Sequence, residues 1–169
     1  VVVSTCCSGC FVSDCGQHAF AANGIASEVV ELRGEHAWAG KYHEGGGLTG
    51  EYLCVAPRAG YVRWQYHDAG PDHESALERG SVHESDGVLH LTPDSDSVSS
   101  SATARDLILV TWGERRYLIP GAQRARFCAA IAHGSEPRRE WTGEFFLREG
   151  DERLPPEPIE RIQPSSFCR

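Results

Sequence analysis

From residue 37 to residue 119 the chain repeats one small unit: a short stretch of alternating apolar and polar residues, a tight turn, and another such stretch. In "SVHESDGVLHLT" (81–92) the pair Asp86-Gly87 supplies the positive φ that a two-residue hairpin turn requires. "DLILVTW-GE-RRYLI" (106–119) reads as a second tight hairpin. "AWAGKYH" (37–43) and "LTGEYLCVA" (48–56) read as strands, and "PRAG" turns the chain into "YVRWQYH" (61–67). In that last strand Val62, Trp64 and Tyr66 share one face, and Arg63, Gln65 and His67 share the other, the period of a half-buried strand. Consecutive strands joined this tightly can only run antiparallel.

The period changes once. "PGAQRARFCAAIAHG" (120–134) has Pro120 near its start, Gly134 past its end, and Phe127, Ala130 and Ile131 on one face, which predicts one helix. "WTGEFFLRE" (141–149) reads as a last strand. The chain is therefore mainly β: seven or eight antiparallel strands with one C-terminal α-helix. Closure would remove exposed edges, and the order resembles the up-and-down β-barrel of the lipocalin or calycin plan. The alternative is a β-sandwich with one added helix. Three zones follow: a Cys-rich arm over 1–24, in which "DCGQHAFAANG" reads as a short helix capped by Asp14; a barrel domain over 25–151; and a Pro-rich tail over 152–169.

Gly45, Gly47 and Gly50 in "HEGGGLTGEY" have the spacing G-x-G-x-x-G. A dinucleotide fingerprint needs a helix directly after the glycines, and here a strand, a turn and a strand follow. A kinase-type loop needs a Lys on a later strand, and Lys41 precedes the run. The glycines predict a hairpin connection, with no nucleotide partner. A net charge of −8 argues against nucleic acid as well.

The cysteine pattern bears on compartment. Of seven cysteines, Cys6, Cys7, Cys10 and Cys15 crowd the start, and Cys54, Cys128 and Cys168 are scattered. Scattered cysteines point to an oxidising compartment, periplasmic or extracellular. "VVVSTCC" reads as the end of a secretory segment running into a lipidated Cys6, and the absence of Met predicts a trimmed start. Cys7, Cys10, Cys15, Cys54, Cys128 and Cys168 are then left for three disulfides. The competing reading makes Cys10, Cys15 and His18 part of a Zn²⁺ or Cu⁺ site. His67 and His73, with Asp68 and Asp72, form a second metal candidate, joined by His83 or His90.

"WAGKYHEGGGLTGEYLCVAPRAGYVRWQYH", "RGSVHESDGVLHL", "VTWGERRYLIP", "FCAAIAHGSEPRR" and "GEFFLREGD" resemble a family of small secreted bacterial proteins that is uncharacterised, over about residues 38–151. That resemblance implies export and implies no activity.

No G-x-S-x-G or H-E-x-x-H occurs, and the reading is non-enzymatic, without cofactor. Trp38, Trp64, Trp112 and Tyr66 are the candidate lining of a ligand pocket, if they face inward. Arg115, Arg116, Arg124 and Arg126 form a candidate basic face for a partner. The expected role is a binding or assembly subunit at a membrane surface, held by a lipid anchor or docked to a membrane complex. The alternatives are a carrier of a small hydrophobic ligand and a metal-binding protein.

Overall fold

In a computed structural model, which describes residues 23–32, 35–45, 49–67, 75–95, 105–134, 145–154 and 166–168, the alternating segments become eight strands: β1 (Gly40–Gly45), β2 (Thr49–Ala56), β3 (Gly60–His67), β4 (Ser75–Ser85), β5 (Val88–Pro93), β6 (Asp106–Trp112), β7 (Arg115–Pro120) and β8 (Phe146–Arg148). They close into one barrel in chain order. Every neighbouring pair is antiparallel, and the seam is made by β8 against β1, with Tyr42 opposite Arg148 and His43 opposite Leu147. The sandwich alternative is not the fold. The β4–β5 turn has the expected chemistry, with Asp86 at φ 54° and Gly87 at φ 76°.

Closure demands close backbone approaches on one side. Gly60, at the start of β3, lies against the middle of β4, where a Cβ would fall 2.1 Å from the Gly80 carbonyl oxygen, and a Cβ on Gly80 would fall 2.0 Å from that of Thr92. Only glycine fits either position.

Among the described residues, two α-helices lie outside the barrel: α1 (Asn23–Leu32) and α2 (Arg124–Ala132). The wall is therefore buried on both faces where they pack. Inside, Trp38, Tyr42, Leu53, Val55, Tyr61, Leu89, Leu91, Leu107, Leu118 and Phe146 form one apolar cluster drawn from seven of the strands and the segment before β1. Outside, Ile25 and Val29 of α1, one turn apart, cover Cys54, Ala56, Val62 and Trp64. Phe127 of α2 covers Val110, Tyr117, Ile119, Phe145 and Leu147 on the other flank. Its ring meets Tyr117 at 5.4 Å and Phe145 at 5.2 Å, both edge-on, the geometry aromatic quadrupoles favour.

The expected helix over 120–134 is a 3-10 turn (Gly121–Gln123) leading into α2. The helix α1 is an addition to the expected architecture, and of the strand expected over 141–149 the described part is Phe146–Arg148, with 141–144 outside the described residues. Of the helix predicted from Asp14, residues 14–22 lie outside the described residues, and Asn23 and Gly24 open α1. Among the described residues no helix is long and apolar enough to cross a membrane.

Candidate functional site

The most unusual feature of the bore is a set of charges. Arg63 of β3 is paired in register with Leu53 on one side and Glu78 on the other, so all three face inward. Arg63 and Glu78 are 2% and 3% exposed. The Arg63 Nε lies 2.8 Å from Glu51 Oε1 of β2. Its guanidinium carbon lies 5.6 Å from the centre of the Phe146 ring on β8, so the side chain reaches across the bore. The Tyr61 hydroxyl donates to Glu78 Oε1 at 2.5 Å, while Glu78 Oε2 has no hydrogen-bond partner among the described residues. Burial, reinforced by the charge of Glu78 and opposed by Arg63, pushes the Glu51 carboxyl above the ordinary range. Burial and then the bond to Glu78 push the Tyr61 hydroxyl up. A buried arrangement of this kind contributes little net stability, because desolvation offsets the attraction. It does penalise any register that separates the partners.

At the end of the barrel where β8 finishes, the Tyr42 hydroxyl donates to the Trp38 carbonyl at 2.9 Å. Arg148 is buried beside it and packs so closely over Gly40 that a Cβ there would fall 2.7 Å from Nε. Burial lowers the Arg148 pKa. Among the described residues the inner side chains pack closely: Tyr42, Leu53, Val55, Tyr61, Leu89, Leu107 and Leu118 are each 0% exposed.

The four tryptophan and tyrosine candidates divide. Trp38 belongs to the inner cluster. Trp64 and Trp112 face outward, contrary to the expected inward lining. Trp64 stacks on Tyr52 at 5.3 Å in the cluster under α1, and Trp112 meets Phe127 of α2 at 6.4 Å. Tyr66 pairs with Gly50 in the β2–β3 ladder. Alternation in β3 was legible. Its inside was not, because the outer face is apolar too.

The arginine candidates are engaged within the chain rather than displayed together. Arg115 is buried and donates to the Leu154 carbonyl. Arg116 donates its amide, Nε and Nη2 to the Asp151 carboxylate at 2.8, 3.1 and 3.1 Å. Arg124 donates to the Phe167 carbonyl and lies 4.8 Å over the Phe167 ring. Arg126 stands half-buried on α2. Three of the four thus tie the segment after β8 and the 3-10 turn Ser166–Cys168 to the barrel and α2. Cys128 and Cys168 are joined by a disulfide, and Cys54 is also disulfide-bonded. Cys6, Cys7, Cys10, Cys15, His18 and His73 lie outside the described residues. Among the described residues no group of three or more His, Cys, Asp or Glu side chains converges to hold a metal ion.

Glu28 is a site that sequence reasoning missed. It lies on the buried face of α1 and accepts the amides of Arg58 and Ala59 and the Arg58 Nε, at 3.1, 2.8 and 3.1 Å. It locks the helix onto the β2–β3 turn. Burial alone would raise its pKa, but the Ala59 amide and the Arg58 side chain and amide together hold the carboxyl below its ordinary value.

No protein-family model matches this chain, and no curated protein and no solved structure matches it.

Proposed function

We propose that this chain is a non-enzymatic, exported barrel that binds a protein partner, or assembles into a larger complex, at a membrane surface. One observation supports this reading above the others: seven of the described inner side chains are fully buried against one another, so a ligand among them would have to displace tightly packed groups. Recognition then falls to the outer surface and to the segments flanking the barrel. Disulfide-bonded cysteines favour an oxidising compartment, in keeping with the proposed export. Cys6 is the proposed lipid attachment point.

The test is expression of the full natural reading frame in a bacterial host, followed by fractionation, intact mass and photo-crosslinking. The crosslinker is placed at Val30, an exposed apolar position on α1. The proposal predicts a diacylglycerol mass that disappears in Cys6→Ala, membrane partitioning, and one discrete crosslinked partner. An unmodified cytosolic chain with no crosslink rejects it. A copurifying apolar ligand supports the carrier reading instead.

A further inference from the structure

We propose that the outer wall of β4, β5 and β6 holds a site for a borderline divalent cation, Zn²⁺, Cu²⁺ or Ni²⁺, with His83 and His90 as its protein ligands. The inference is independent of the assembly reading and concerns a face of the barrel that neither helix covers.

The register places the residues. His83 of β4 is directly opposite His90 of β5, and His90 is directly opposite Asp106 of β6. The flanking pairs, Val82 with Leu91 and Leu89 with Leu107, face the bore. The His83, His90 and Asp106 side chains therefore form one row across three strands on the outer face. Directly opposed residues have Cβ atoms about 4.5–5.5 Å apart, a separation over which two imidazoles can close on one ion held at about 2.0–2.1 Å from each nitrogen. The two-residue turn at Asp86 and Gly87 fixes this register only three residues from the pair.

Asp106 adds the second element. Its Oδ1 lies 2.9 Å from His90 Nδ1, and β5 lies between β6 and β4. The contact assigns the Nδ1 proton to the hydrogen bond with Asp106. It turns Nε2, with its lone pair, away from β6 and toward the side where His83 stands. A carboxylate that orients a histidine in this way is the usual outer partner of a metal-bound imidazole. Two imidazoles suit Zn²⁺, Cu²⁺ or Ni²⁺ and disfavour Ca²⁺ or Mg²⁺, which prefer oxygen. The remaining coordination positions are left to water, so the site exchanges its ion readily.

The experiment is a titration of the full chain with Cu²⁺, read by calorimetry and by paramagnetic broadening of amide signals, with Ni²⁺ and Mg²⁺ as comparisons. Expected is one ion per chain with a dissociation constant below about 1 mM. Broadening should centre on residues 82–84, 89–91 and 105–107, and Mg²⁺ should have no effect. His83→Gln and His90→Gln each abolish that local broadening. Asp106→Asn weakens binding about 10- to 100-fold. All three substitutions are at partly or fully exposed strand positions, and thermal melts confirm that the variants fold. Broadening that survives both histidine variants overturns the proposal, and so does the absence of broadening on this face in the wild-type chain.

Discussion

Removing the Glu28 carboxylate tests how α1 is held. In Glu28→Ala the amides of Arg58 and Ala59 lose their acceptor, which accounts for the two shortest backbone contacts of the lock, 3.1 and 2.8 Å. A hydrogen bond to a charged group is worth about 1.5–3 kcal/mol. The turn is at the surface, so water recovers part of that. The expected net loss is about 2 kcal/mol at pH 7, which for a chain of this size lowers Tm by about 4–8 °C. The pH dependence has a definite sign. The folded carboxyl titrates below its ordinary value of 4.5, so its stabilisation is fully present above that value. It is lost as pH falls through the lower, folded-state value. Thermal melts followed by circular dichroism from pH 7 down to about pH 3 should therefore show the wild-type advantage narrowing below 4.5. Glu28→Gln keeps a carbonyl acceptor and should fall between the two at neutral pH. An equal Tm for wild type and Glu28→Ala at pH 7, or a gap that does not change in acid, refutes the assigned role.

Two further perturbations probe the opposite flank. Phe127→Ala removes the ring at the centre of the cluster under α2 and should cost about 3–5 kcal/mol, measured by urea unfolding; a loss under 1 kcal/mol would mean that α2 is not packed there. Cys128→Ser opens a link between residues separated by 40 positions, worth about 4 kcal/mol by loop entropy. It should expose the Ser166–Cys168 turn to limited proteolysis while the barrel stays resistant.

Local chemistry was the legible part of the sequence. Asp86-Gly87 demands its hairpin whatever surrounds it, and Pro120 and Gly134 bracket a helix by their own backbone preferences. Alternation located the strands but not their inner face. In β3 the rule that apolar residues face the core would turn Val62 and Trp64 inward and Arg63 outward. The fold does the reverse, because α1 supplies a second core outside the wall, while Glu51 and Glu78 receive Arg63 inside. α1 itself was masked in "NGIASEVVEL", where a buried Glu28 interrupts the apolar stripe of Ile25 and Val29 and three β-branched residues weaken helix propensity. The arginines from 115 to 124 cluster in sequence. Their partners lie 35, 39 and 43 residues further on, and no local pattern reports such pairings.

The account depends on a closed barrel filled by its own side chains, and xenon tests that directly. Xenon enters dry apolar cavities and shifts the methyl signals around them. Under xenon pressure the methyl groups of Leu53, Val55, Leu89, Leu107 and Leu118, all buried in the bore, should keep their chemical shifts apart from the small uniform effect of pressure. Saturable shifts confined to those five residues would reveal a chamber, and would contradict the placement of recognition on the outer surface.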